Sequence, residues 1–415
     1  MPALAAQVRI RMVKSIATLS ASALCLTVAL GLGGGLRAEE APNADLVEMI
    51  VNLVSDKDRD TRNLGLQQVR DEAKGEAATK QFAALLPKLP PESQAGLLDA
   101  LGGRGDRAAR PDVLAMLKSD DADVQAAAIR ALGPLGEAAD APLLAQSLAA
   151  AGAEKKAARE ALARLGGPQV NAAIVAELKR AKPEAQADLL GVLGARKARE
   201  ALPVVLQYAG DHDAAVRLAA LTALRLLAGQ EQAAVLVKLL AAAKDDQEQW
   251  QAEQALLAVC GQGREACVEA ILAGMANAGP SARAVLLRVL ARARGGKALA
   301  AIVSAMKDPQ PEVSKEALRL LANWPDASAV PPLRAIARES ESLRANVVAV
   351  QGLIHMASPV KDKPADVDLL VEAVKLARRP QEKQMASRVL QAAADSKDPQ
   401  IRQRAQKALD SLGRP

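Results

Sequence analysis

The chain has 415 residues, half of them apolar, yet it holds only two Trp, one Tyr and one Phe, and its formal charge is +6. Residues 1–38 contribute Arg9, Arg11, Lys14 and Arg37 and no acids, so the remainder carries 50 basic against 48 acidic side chains, a net of +2. That balance excludes a polyanion-binding footprint, so no nucleic-acid partner is expected. An apolar fraction rich in Ala, Leu and Val fits closely packed helices better than a core built on aromatic anchors.

In chain order the first element is the N-terminal segment. "RIRMVK" is a positive lead, residues 15–36 are apolar and rich in small side chains, and "LRAEE" offers a cut after Ala38. This pattern predicts a secretory signal peptide over 1–38 and a periplasmic or secreted mature chain. The same stretch is long enough to span a bilayer, so a retained anchor is the alternative, and membrane contact is expected only in that case. The glycines of "GLGGGL" follow no strand, which rules out a phosphate-binding loop.

From residue 39 to 415 a single pattern recurs. An apolar residue in the last turn of each copy falls at Val69, Leu101, Leu132, Leu162, Leu193, Leu224, Leu256, Leu290, Leu321, Leu353, Leu390 and Leu409. The spacing stays near 31 until the last two steps, which are 37 and 19. Four residues before each of these stands Gly, Ala or Leu, so the two columns share one helix face and form a small-beside-large seam. A second amphipathic segment lies between copies, as in "PDVLAMLKS" at 111–119 and "GKALAAIVSAMKD" at 296–308. Two helices and two turns fill such a period, and no run alternates with period two. The predicted architecture is an all-α, right-handed α-solenoid of about eleven helical hairpins plus a C-terminal capping helix. Its closing copy carries Gln403, Arg404 and Gln406 where interior copies often carry apolar residues, as a terminal cap requires.

Seven residues before the reference every side chain is polar and none is acidic, including Arg62, Gln125, Arg217, Arg283 and Arg402. This column predicts a structural ladder of caps and of long donors bridging to the adjacent repeat. Cys25 leaves with the leader, and Cys260 and Cys267 flank a short turn. They form either a disulfide suited to an oxidising compartment or a pair of buried apolar thiols. The two histidines, His212 and His355, are expected to be incidental, and no catalytic, cofactor or metal site is expected. Trp324 sits in an apolar column and is assigned to the core, whereas Trp250 is a candidate partner anchor. A variable column whose second half is mostly basic, with Arg288, Arg319 and Arg388, is either a solvated face or a strip around residues 283–407 that recognises acidic partners. Residues 355–368 are a polar insertion, the kind of loop that repeat proteins place on one face.

The stretches "DAAVRLAALTAL" at 213–224, "DPQPEVSKEALRLL" at 308–321 and "DPQIRQRAQKAL" at 398–409 resemble HEAT repeats, particularly the phycobilisome-lyase HEAT-like kind, over roughly residues 43–413. The fourth and tenth copies depart from the pattern: one lacks the acidic turn, the other the Asp-Pro start. Di-iron hydroxylases and alkylpurine DNA glycosylases share such a fold, but this chain lacks the His-Glu pairs of the former and the charge suited to the latter. The resemblance implies a non-enzymatic scaffold with protein partners. An enzyme-associated or lyase-like helper, or a membrane-tethered scaffold, is the alternative.

Overall fold

The computed structural model describes residues 44–261, 265–359 and 364–412, so the predicted leader lies outside the described residues. Among those residues there are twenty-three α-helices and no strand. Helices of one row are Arg59–Asp71, Pro91–Arg104, Ala122–Leu135, Gly152–Arg164, Pro183–Ala195, Ala214–Leu227, Asp246–Val259, Pro280–Ala293, Pro311–Ala322, Leu343–Ala357 and Pro380–Ala394. They alternate with a second row of generally shorter helices: Ala44–Val54, Glu76–Ala83, Arg110–Met116, Ala141–Gln146, Val170–Leu178, Leu202–Tyr208, Ala233–Ala241, Glu265–Met275, Gly296–Ala305, Val330–Glu339 and Val367–Leu376. Pro399–Leu412 closes the array. Each long-row helix packs on the next long-row helix and on its short-row partner, which is the nearest-neighbour contact pattern of a solenoid.

Local chemistry explains where the long-row helices start. Asp58, Asp121, Asp213, Asp245 and Ser342 cap five of them by accepting from a first-turn amide. Five others begin at Pro91, Pro183, Pro280, Pro311 and Pro380, whose missing N–H is not needed in a first turn. Their seam is dry. The last-turn reference residues from Val69 to Leu390 are completely buried, as are the residues four positions earlier from Leu97 to Ala405.

Neighbouring long-row helices meet through the positions flanking the reference residue. A Cβ added to Gly102 would lie 3.1 Å from the Ala131 Cα, one on Gly133 3.2 Å from the Ala161 Cα, and one on Gly194 3.1 Å from the Ala223 Cα. The residue after the reference on one helix thus touches the residue before the reference on the next, backbone against backbone. Where those positions are Ala163 and Val192, the helices stand apart and leave a cleft of about 500 Å³.

The polar ladder divides between two directions. Some members bridge repeats, as Lys155 does to Asp188 at 2.8 Å and Asn346 to the Leu376 carbonyl at 3.0 Å, while others turn back onto their own hairpin. Arg62 donates to the carbonyls of Asp56 and Lys57, Gln125 to that of Ser119, and Arg402 to that of Ser396. Side chains on a helix lean toward its N-terminus, so a long donor in the first turn reaches carbonyls left unsatisfied as the preceding helix ends. Arg217 does both jobs: it holds the Asp211 and His212 carbonyls and donates at 2.8 Å to Glu248 of the next repeat in a buried pair. Arg283 reaches Asp308 of the following repeat at 2.6 Å.

A second set of staples went unnoticed in the sequence. Arg196 donates to the carbonyls of Leu162, Ala163 and Leu165 at and just past the C-terminal end of the previous long-row helix, and Arg104 does the same to Val69, Glu72 and Ala73. Burial lowers the pKa of both guanidiniums. Their signal was an exception: they occupy the column three after the reference, which most copies fill with an apolar residue.

Candidate partner-binding groove

The helices Pro311–Ala322 and Leu343–Ala357 touch at their C-terminal ends and part toward their N-terminal ends. Gly352 sets the contact, since a Cβ there would lie 2.9 Å from the Ala322 Cα and 3.0 Å from Leu333 Cδ1. Where they part, a groove of about 1060 Å³ opens. Val303, Met306, Leu318, Ile336 and Val348 give it a half-buried apolar lining. Lys307, Lys315 and Arg344 stand exposed along it, together with Glu312 and Glu339.

Arg288 and Arg319 also line this groove. Neither is a free cation. Arg288 holds Glu253 of the preceding long-row helix at 2.8 and 2.9 Å and stands 3.9 Å from Glu316. Arg319 grips Glu316 at 2.8 and 2.6 Å. These bonds raise both guanidinium pKa values, with the hydrogen bond to Glu253 leading for Arg288 and that to Glu316 for Arg319. The result is a charge relay across three successive long-row helices that fixes the groove's wall.

The remaining sequence candidates lie elsewhere. Trp250 is 51% exposed and outside the groove. Arg388 is also exposed and outside it, with no ion pair among the described residues. Cys260 and Cys267 form a disulfide with Cα atoms 5.5 Å apart, both sulfurs inside the core. Trp324 is buried and donates its indole N–H to Ser328 Oγ at 3.0 Å. His212 lies in a turn and His355 in the last turn of its helix, both exposed. Among the described residues no three His, Cys, Asp or Glu side chains gather as a metal site, and no helix is long and apolar enough to cross a membrane. The polar insertion runs from the end of one helix at Ala357 to the next at Val367, and residues 360–363 of it lie outside the described residues.

The family profile described as HEAT repeats matches residues 79–163, 171–257 and 268–354. No curated protein matches the chain significantly. Among solved structures, the karyopherin Kap121p bound to the SUMO protease Ulp1p is similar at 15% identity and a TM-score of 0.54, covering 88% of this chain and 46% of the karyopherin. Kap121p bound to Ste12p gives 14% identity and a TM-score of 0.51, covering 88% and 45%. The chain therefore spans somewhat under half the length of these relatives. The complex of CpcE and CpcF of phycocyanin lyase from Nostoc sp. PCC7120 is 22% identical over 67% of this chain and 97% of that one, with a TM-score of 0.27.

Proposed function

Because the chain belongs to the HEAT-repeat family, we propose that its mature form is an exported, non-enzymatic scaffold that holds protein partners on its long-row helices. One observation carries the reading. The groove combines an apolar lining with a rim of exposed charge, which is the anatomy of a protein-binding patch. In the two karyopherin structures a protein partner is bound on a similar fold, which supports the same use here. The leader-like composition of residues 1–38 and the Cys260–Cys267 bond both suit export to an oxidising compartment.

Two measurements test the proposal together. The chain is produced from its complete reading frame and its intact mass determined in each cell fraction. Loss of residues 1–38 from material outside the cytoplasm is the expected result. Crosslinking and affinity capture from the envelope fraction should then recover one or more proteins in defined stoichiometry. A full-length mass confined to the cytoplasm overturns export, and capture of no protein overturns the scaffold reading.

A further inference from the structure

We infer that the groove between Pro311–Ala322 and Leu343–Ala357 receives an extended peptide segment in which apolar side chains are interspersed with carboxylates. This deepens the scaffold reading above and rests on it. Charge is the first argument. The lining holds five basic side chains, Arg288, Lys307, Lys315, Arg319 and Arg344, against the acidic Glu312, Glu316 and Glu339, and Arg288 is also paired with Glu253 behind the wall, so five minus four leaves a net of +1. Glu316 is already engaged by two arginines, while Lys307, Lys315 and Arg344 have no ion-pair partner among the described residues. Potential in a trough with apolar walls is focused rather than dispersed, so this excess selects anions.

The lining is the second argument. Val303, Met306, Leu318, Ile336 and Val348 are each only half-buried in the free protein, and a ligand must cover them to gain from their burial. A free phosphate or a small dicarboxylate leaves them wet. Single-stranded nucleic acid satisfies the charge but needs aromatic platforms for its bases, and the lining contains no aromatic residue. The shape is the third argument. The groove draws on helices from three successive hairpins and opens along its length, whereas small-molecule sites enclose most of their ligand.

The test uses the complete mature chain and fluorescein-labelled probes: a nonapeptide alternating Leu and Glu, its Leu/Lys and Ser/Glu counterparts, and an oligothymidine. Fluorescence anisotropy should show saturable binding of the Leu/Glu peptide, at least tenfold tighter than any other probe. The triple variant Lys307→Glu, Lys315→Glu and Arg344→Glu should weaken it about tenfold or more, and the corresponding Gln variant should fall between the two. All three side chains are exposed, and matching far-UV circular dichroism would establish that the fold is kept. Arg225→Glu, an exposed reversal outside the groove, should leave binding unchanged. No binding of the Leu/Glu peptide, equal binding of another probe, or indifference to the triple reversal overturns the assignment. Envelope capture uses no peptide probe, so loss of the groove assignment and loss of the scaffold reading give different outcomes.

Discussion

Replacing Gly352 by Ala probes the contact that pins the closed end of the groove. A new Cβ at this position would meet the Ala322 Cα at 2.9 Å and its Cβ at 3.1 Å, so the obstacle is backbone rather than a side-chain tip that can swing away. Gly191 is the matched control: it too lies inside a long-row helix, and a Cβ there meets nothing within 4 Å. Both substitutions gain the same helix propensity, about 1 kcal/mol for Gly to Ala in a helix interior. Only Gly352→Ala adds an overpacking cost, about 1–3 kcal/mol where neighbours must shift. Gly191→Ala should therefore stabilise the chain by about 1 kcal/mol, while Gly352→Ala should range from neutral to about 2 kcal/mol destabilised. Urea unfolding followed by circular dichroism at 222 nm reads the difference, which isolates the steric cost because propensity cancels. Equal stabilisation by the two substitutions would refute the backbone-to-backbone contact.

Other consequences are open to direct measurement. Arg196→Met should cost about 2 kcal/mol, since the Leu162, Ala163 and Leu165 carbonyls lose a charged donor; a loss within the ±0.5 kcal/mol typical of surface changes would contradict the staple. Thiol titration of the unfolded, unreduced mature chain should find no free thiol. Reduction should lower stability by about 2.5 kcal/mol, the chain-entropy value for a loop of this length with cysteines seven residues apart. Two reactive thiols before reduction would remove the bond. Acid sensitivity follows from Glu382, lowered by its hydrogen bond to Arg379, and Glu200, lowered by Asn171, both from an ordinary 4.5. A depressed folded pKa adds stability that is complete above the unfolded value and disappears as pH falls through the folded one. The urea midpoint should accordingly stay level on descending from pH 7 to 5 and drop below about 4.5; a decline already finished by pH 5.5 would rule these carboxylates out.

The stacking of the chain was legible because burial is periodic. The reference column and its partner four residues earlier mark the seam directly, and the structure buries both. Trp324 followed from the same logic. The direction of the polar ladder did not, because column statistics record that a side chain is polar but not which carbonyl it meets. Arg104 and Arg196 were hidden for a related reason: as departures from an apolar column they look like noise until the previous helix end is placed beside them. The groove was half visible. Arg288 and Arg319 were singled out as basic positions, yet their carboxylate partners, Glu253 and Glu316, belong to other columns and make the free charge reside on Lys307, Lys315 and Arg344. Its opening depends on the angle between two helices, which Gly352 sets through a neighbour about thirty residues away in sequence.

The uneven joints between long-row helices bear on how the array answers mechanical load. At Gly102, Gly133 and Gly194 main chains abut, so tension there must break close-packed contacts over a whole interface. Ala163 and Val192 keep their helices apart, and the Gly352 joint grips at one end only. Under a pull the array would not extend as a uniform spring. Compliance would concentrate at the sparsely packed joints, so a pull would change the spacing between points on the array by flexing there while the close-packed glycine joints hold their geometry.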